Sequence, residues 1–241
     1  MRPERQTARQ DAPSPPTEGP AADAPAEEAT TERPQAMTEV LAAAAVCFME
    51  KGFAATSIDD VARRMGATKG RVYHYYPSKT DLFFDVYRHS LERIQAPVAA
   101  IARTDAPAAE RLPEMVRAHA RSIMSDQPFH RVATQGVEML ARGATTPEQR
   151  AALADLIATR SAYEAMFRET MEAGRAEGSM SFGDASIAAK TLLAGLNGLV
   201  YWYRGDVGGD RKTRDEIAEE MVRFAMKCVA PEPKPEMEET R

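Results

Sequence analysis

Apolar residues recur at helical spacing from Met37 to Val229, and no segment alternates apolar and polar residues as a strand does. Prolines and glycines divide this pattern into segments of helical length, because proline suits the first turn of a helix and glycine suits its end. The pattern predicts an all-α protein of about nine helices. Their expected spans are about 37–51, 58–65, 68–75, 79–95, 108–126, 128–142, 147–178, 184–204 and 212–229.

The first three helices are short and have clear end signals. Gly52 follows the first apolar stripe as a C-terminal cap. Ser57 starts the second helix, and Asp60 three residues later completes a capping box. Gly66 permits a tight turn into a third helix of about two turns, which is too short to be stable without neighbours. These signals predict a three-helix helix-turn-helix unit over residues 36–82.

The third helix buries chiefly Val72, so its other side faces outward. Arginine can pair with a guanine edge and lysine or tyrosine can hold phosphates, so this side has the chemistry of a major-groove reader. The free N–H groups at the start of the second helix suit a phosphate oxygen. The alternative is an ordinary bundle with a charged surface. The candidate DNA-contacting residues on this reasoning are Thr56, Ser57, Lys69, Arg71, His74, Tyr75 and Lys79.

Several short motifs occur together at fixed spacing: Gly-Phe at 52–53, Thr-Ser at 56–57, Met-Gly-Ala at 65–67, Val-Tyr at 72–73 and Ser-Lys at 78–79. In this combination residues 37–82 resemble the DNA-binding domain of the TetR/AcrR family. The resemblance implies a dimeric regulator of transcription that binds palindromic double-stranded DNA. It also implies DNA contacts at Thr56, Lys69, Gly70, Arg71, Tyr73, His74, Tyr75 and Lys79, although Tyr75-Tyr76 stands where the family usually has a pair such as His-Phe.

A short recognition helix reads few base pairs, so useful affinity needs two copies on a two-fold site. Small residues form one stripe of helix 184–204, and apolar residues recur at near-heptad spacing in helix 212–229. The alternative is that both stripes are intrachain core. The dimer interface that these stripes and the resemblance predict comprises Ala188, Thr191, Gly195, Gly198, Trp202, Ile217, Met221 and Phe224.

The middle helices are rich in methionine and aromatic residues, which adapt to ligands as well as filling a core. His119 and Arg160 interrupt apolar stripes, and a buried polar group needs a partner, either a nearby carboxylate or a ligand. Residues 83–229 are therefore predicted to form a ligand-binding and dimerisation domain for a small-molecule effector. Its candidate ligand-binding residues are Tyr87, His119, Ile123, Phe129, Met139, Arg160, Tyr163, Phe167 and Met171.

Residues 192–206 resemble the C-terminal domain of TetR-type regulators of lipid, sterol or aromatic-acid breakdown. Because several of those regulators sense acyl-CoA thioesters, the resemblance makes an acyl-CoA a candidate effector. Cations that could meet its phosphates are Arg103, Arg117, Arg121 and Arg168.

Composition adds limits to this picture. The net charge is −5, yet residues 36–79 carry six Lys or Arg against four Asp or Glu, so any basic surface is local. Residues 1–35 are rich in proline, alanine, glutamate and threonine and predict a disordered arm, and 230–241 predict a flexible C-terminal tail. Two cysteines fit a reducing cytoplasm, and no apolar stretch reaches membrane length.

Motifs of catalysis are missing from the sequence. It contains no phosphate-binding loop, HExxH, nucleophile elbow or clustered metal ligands, so we expect no enzyme activity, no metal and no cofactor. Two alternatives to a ligand-responsive regulator are a ligand-independent DNA-binding or architectural module and, from another class, an enzyme that modifies a small molecule.

Overall fold

The structure, a computed structural model, describes residues 26–134, 146–205 and 212–231, with side chains from residue 35 onward. Every regular element in these ranges is helical, as predicted. In chain order the helices are α1 (Ala26–Ala55), α2 (Ile58–Arg64), α3 (Lys69–Tyr75), α4 (Lys79–Ala102), α5 (Ala108–Ser125), α6 (127–134, up to the first gap), α7 (Pro147–Ala176), α8 (Ala185–Asn197), α9 (Leu199–Trp202) and α10 (Arg214–Cys228).

Helix α1 begins at Ala26, well before the predicted start at Met37, so the predicted disordered arm 1–35 is helical in its last part. Residues 1–25 lie outside the described ranges, as do residues 232–241 of the predicted tail. At Gly52 the backbone leaves the helix with φ 77° and ψ 163°, a conformation that only glycine adopts without strain. The predicted break at this residue is therefore confirmed.

The second and third helices start and end where their polar residues indicate. Ser57 accepts a hydrogen bond from the Asp60 N–H at 3.1 Å, and its own N–H donates to the Asp60 carboxylate at 2.9 Å, which confirms the capping box. Gly66 makes the turn into α3 with φ 63°. Ser78 accepts from the Asp81 N–H and caps α4.

Helix α4 continues to Ala102, although the prediction ended it at about residue 95, before Pro97. Pro97 is exposed, so the carbonyl that loses its partner faces water, while the next two residues, Val98 and Ala99, are buried. Burial of these two residues stabilises the helix across the proline. The predicted break was wrong because it considered only the backbone N–H that proline lacks, and not the packing of Val98 and Ala99.

Two apolar cores lie along α4. Its first part, from Leu82 to Leu91, packs with α1, α2 and α3, and the same core includes Val132 of α6 and Leu156 of α7. Its second part, with Ile94 and Val98, packs in the core made by α5, α7, α8, α9 and α10. The predicted boundary between residues 82 and 83 thus falls inside a continuous helix.

The predicted helix 184–204 is divided into α8 and α9 at Gly198. Two glycines and an asparagine within four residues weaken the helix there. Carbonyls past the break are used by α6: Gln127 donates to the Tyr203 carbonyl at 2.6 Å, and Arg131 donates to the Val200 carbonyl at 3.2 Å. In the described ranges no helix is long and apolar enough to span a membrane.

Candidate nucleic-acid interface and ligand cavity

The outer surface of α3 carries most of the predicted DNA-contacting side chains. Val72 is the one residue of this helix that is buried, and Tyr75 is half-buried against the core shared with α1, α2 and α4. A short helix that uses one residue for packing leaves the rest for a ligand. The residues that α3 exposes are Lys69, Gly70, Arg71, Tyr73 and His74.

Both cations of this surface are held by acidic neighbours. Lys69 lies 3.1 Å from Asp59 of α2, whose hydrogen bond raises the lysine pKa, and Arg71 lies 3.2 Å from Glu39 of α1. All four side chains are about half exposed, and ion pairs in such positions contribute little to stability. Phosphate or guanine groups can therefore replace these carboxylates at small cost.

Lys79 hydrogen-bonds backbone carbonyls of its own chain, whereas its position in the motif predicted a contact with DNA. Its ammonium donates to the carbonyls of Phe53 and Thr56, both at 2.8 Å, and to that of Ala54 at 3.3 Å. It also lies 4.5 Å from the centre of the Phe53 ring. Lys79 thereby ties the start of α4 to the end of α1 and to Thr56 just after it. A phosphate contact by Lys79 stays a prediction, and its ammonium would share its protons with these carbonyls.

Thr56 and Ser57 have opposite surroundings. Thr56 is buried, and its hydroxyl donates to the Gly52 carbonyl at 2.7 Å and lies 3.1 Å from that of Cys47. The hydroxyl of Thr56 therefore faces the protein, and a contact of Thr56 with DNA stays a prediction. Ser57 is exposed at the start of α2, as predicted.

A cavity of about 730 Å³ opens between α4, α5, α7 and α8. Five of the predicted ligand-binding residues line it, namely Tyr87, His119, Ile123, Arg160 and Tyr163. The structure adds side chains that were not predicted, among them Ser90, His130, Lys190, Asn197 and Tyr201.

The other four predicted ligand-binding residues are not in the lining. Phe167 and Met171 are fully buried in the core beneath the cavity, so they support the wall without reaching the space. Phe129 packs against the His89 ring, 5.0 Å away between centres. Met139 lies outside the described residues.

Two buried histidines stand in the cavity wall. His119 Nδ1 is 2.8 Å from the Tyr163 hydroxyl, and burial lowers the His119 pKa to about 3. His130 bonds the hydroxyls of Ser90, at 2.9 Å, and Ser122, at 3.2 Å, and burial lowers its pKa to about 4. Both rings are therefore neutral at physiological pH. His130 joins α4, α5 and α6 through these two bonds.

An apolar surface on α8, α9 and α10 meets the cavity at Tyr201. Its most exposed large side chains, each more than half exposed, are Ile187, Tyr201, Trp202 and Phe224. A groove of about 410 Å³ next to Trp202 is lined in part by Ile217 and Met221. Such a surface on one chain is typical of a protein interface.

The predicted dimer residues divide between this surface and the interior. Trp202 and Phe224, with Thr191 and Gly195, are exposed. Ala188, Ile217 and Met221 are half-buried and pack on the chain's own core. Gly198 lines the cavity, on the same helical face as Lys190 and Ala194.

Family comparisons agree with this geometry. The family described as bacterial regulatory proteins, tetR family, matches residues 40–86, and the tetracyclin repressor-like C-terminal domain matches residues 105–229, more than half of the chain. The chain belongs to the TetR family. This TetR-family regulator therefore carries its helix-turn-helix in α2 and α3.

Two curated relatives are similar in sequence. The transcriptional activator FasR of Mycolicibacterium smegmatis is 26% identical over 192 residues, which cover 78% of this chain and 80% of FasR. The transcriptional repressor KstR2 of Mycobacterium tuberculosis is 30% identical over 105 residues, 40% of this chain and 52% of KstR2. The match to KstR2 thus spans about half of that relative.

Solved structures share the fold. The ketosteroid regulator KstR2 of Mycobacterium tuberculosis matches with a TM-score of 0.71 at 22% identity, over 81% of this chain and 95% of that one. AibR, solved with isovaleryl coenzyme A and operator DNA, matches with a TM-score of 0.65 at 21% identity, over 78% and 97%. At these identities the likeness shows the fold.

Replacing Lys79 with alanine is expected to lower the free energy of unfolding by about 1–3 kcal/mol, because backbone carbonyls at the end of α1 lose a charged donor. Urea unfolding followed by circular dichroism measures this change. Lys69→Ala is the matched control: it removes an exposed pair and should change stability by less than about 0.5 kcal/mol. Equal stability of Lys79→Ala and the unmodified protein would contradict the assignment.

The two buried histidines predict a pH-dependent stability. Their native pKa values lie below the ordinary 6.5, so the unfolded chain binds protons that the native chain does not. The stabilisation is complete above pH 6.5 and is lost as pH falls from 6.5 towards about 4. Each histidine contributes up to about 1.4 kcal/mol per pH unit.

Urea unfolding at a series of pH values measures this slope. The double variant His119→Leu, Tyr163→Phe removes both partners of one buried bond and should lose the His119 share of the slope. Other groups titrate in both proteins, so the difference isolates His119. A slope identical in the two proteins would show that folding does not lower the pKa of His119.

Proposed function

We propose that this TetR-family regulator is a repressor that binds palindromic double-stranded DNA as a homodimer and releases it when a small molecule enters the cavity. The observation that carries the proposal is the course of α4. At one end Lys79 and Leu82 join this helix to the helix-turn-helix, and further along Tyr87, Ser90 and Ile94 line the cavity.

DNA recognition is assigned to the exposed side of α3. Arg71 would pair with a base edge in the major groove, and Lys69 and Tyr73 would hold the backbone. His74 and Tyr75, whose rings meet edge to face at 4.9 Å, extend the same surface. Gly70 lets the backbone approach closely, and Ser57 offers a polar contact at the start of α2.

Dimerisation is assigned to the apolar surface of α8, α9 and α10, around Trp202 and Phe224. Half-sites on one face of DNA are about 34–36 Å apart, so the interface sets the separation of the two recognition helices. A ligand that moves α4 by a few ångströms then breaks the register. The free energy by which the ligand weakens DNA binding equals the difference between its binding free energies for the DNA-bound and the DNA-released conformations.

An acyl-CoA thioester is the effector that the similarities favour. AibR was solved with isovaleryl coenzyme A and operator DNA, and KstR2 is named as a repressor and a ketosteroid regulator. The cavity offers an apolar wall with cations at its edge, which suits an acyl chain joined to a charged carrier. The protein would act in the cytoplasm, where both DNA and such thioesters occur.

The rival functions have weaker support. A ligand-independent architectural module has no use for a cavity of about 730 Å³ lined by neutral histidines. For an enzyme, the described residues contain no group of three or more metal-ligating side chains. In the cavity lining the Tyr163 hydroxyl lies beside His119 and the Ser90 hydroxyl beside His130. The second ring nitrogen of His130 is hydrogen-bonded to Ser122, so we interpret the Ser90–His130 pair as a structural link between helices.

Arg71→Ala is expected to weaken binding to the preferred duplex by about 1–3 kcal/mol and to relax base preference at one position of each half-site. Genomic fragments retained by the purified protein supply the duplex, and fluorescence anisotropy measures the affinity. Arg223→Ala is the control, because Arg223 is an exposed arginine of α10 that pairs with Glu220. Equal losses in the two variants would contradict a reading role for α3.

Effector release is tested on the same duplex. Adding acyl-CoA thioesters of increasing chain length should lower the anisotropy of labelled DNA, whereas free coenzyme A should not, because only the acyl chain fills the apolar part of the cavity. If no acyl-CoA of any length releases the DNA, the proposed effector class is wrong.

A further inference from the structure

The cavity has a polar floor and a charged mouth. Ser90, His119 and His130 lie at its floor, each at most 3% exposed. Arg160, Lys190 and Tyr201 are exposed, so they mark the opening. The lining also contains the apolar side chains of Leu91, Ile94, Ile123 and Leu193.

One polar atom of the floor is without a partner. His130 uses both ring nitrogens for serine hydroxyls, and the Tyr163 hydroxyl meets His119 Nδ1. His119 Nε2 is buried and has no hydrogen-bond partner among the described residues. The side chain of Asn197 is close enough to favour protonation of His119 but does not complete a bond to Nε2. A buried polar atom left in this way is costly unless a ligand satisfies it.

The hydrogen on Nε2 can be assigned from its partner. A phenol is a better donor than a neutral imidazole N–H, so the Tyr163 hydroxyl donates to Nδ1 and the ring hydrogen lies on Nε2. Nε2 is therefore a neutral donor, in a side chain that lines the cavity. It requires an oxygen that accepts a hydrogen bond, and its lack of charge gives no advantage to a carboxylate.

The mouth has the opposite preference. Its described charged groups are Arg160, Lys190 and Glu164, and Lys190 lies 3.6 Å from Glu164. Arg160 approaches the Tyr87 hydroxyl, whose pKa it lowers against the larger, opposing effect of burial. The mouth thus has an excess of positive charge and suits an anion.

We propose that the effector is a long amphipathic molecule that gives a neutral oxygen, a hydroxyl or a carbonyl, to His119 Nε2 and keeps its anionic end beside Arg160 and Lys190. This inference rests on the proposed function, because it takes the cavity as the effector site. Among apolar acids and thioesters, it selects those whose apolar chain carries an oxygen atom at the end that is buried in the cavity.

Matched pairs of small acids test this assignment on the full-length dimer. Octanoate, decanoate and dodecanoate are each compared with the same acid carrying a terminal hydroxyl group, and calorimetry gives the dissociation constants. At the length that fits best, the hydroxylated acid is expected to bind about tenfold more tightly, the effect of one buried hydrogen bond.

Two variants separate the floor from the mouth. His119→Leu with Tyr163→Phe leaves no orphaned buried polar group and should abolish the preference for the hydroxylated acid or reverse it. Lys190→Ala should weaken both members of a pair alike and keep their ratio. Thermal unfolding confirms that each variant is folded.

The outcomes are distinct. No preference at any chain length, a preference that survives in the double variant, or no binding of either series overturns the inference. The proposed function has its own readout: release of DNA by acyl-CoA that is unchanged in the double variant would leave that function standing and remove the role of His119.

Discussion

Everything in this molecule depends on one continuous helix that belongs to two cores. Helix α4 supplies Leu82, Phe83 and Val86 to the core of the helix-turn-helix and Ile94 and Val98 to the core of the C-terminal half. A packed helix is stiff, since its side chains cannot change position without opening voids. The two halves therefore cannot move independently along α4, and Lys79 fixes its first turn to the DNA-reading unit.

Helix α3 can be short and bury only one residue because of the same arrangement. Seven residues do not make a stable helix in water, and Val72 is the only one that this helix buries. The surrounding helices α1, α2 and α4 supply the stability that α3 lacks. The other side chains of α3 do not take part in packing, so their chemistry can suit the groups that they bind. Surface ion pairs with Glu39 and Asp59 keep the cations in place without neutralising them permanently.

Local signals in the sequence predicted the N-terminal unit well, because its ends are set by short-range geometry. The Ser57–Asp60 box and the two glycines at 52 and 66 each fix a backbone conformation that neighbours do not alter. Pro97 is the counterexample: burial of the residues after it outweighed one lost hydrogen bond.

The cavity was harder to predict for a reason of geometry. Helical periodicity shows which side of a helix is buried, but a buried side can face another helix or an empty space. Phe167 and Met171 lie on such a side and fill the core, whereas His119 on a similar stripe reaches the cavity. Ser90 and His130 gave no signal of their own, since their pairing joins residues forty positions apart. Gly198 likewise had the spacing of a dimer stripe, but it lies on the helical face that lines the cavity with Lys190 and Ala194.

The break at Gly198 has a consequence for communication between subunits. Gln127 and Arg131 of α6 hold the carbonyls that the break leaves beyond α8, and α6 also carries His130 in the cavity wall. The same short α9 presents Trp202 at the apolar surface. In a dimer built on that surface, a ligand in one cavity would shift the interface between the subunits. The cavity of the neighbouring subunit would change in response even with no DNA bound, and the two cavities would bind ligand cooperatively.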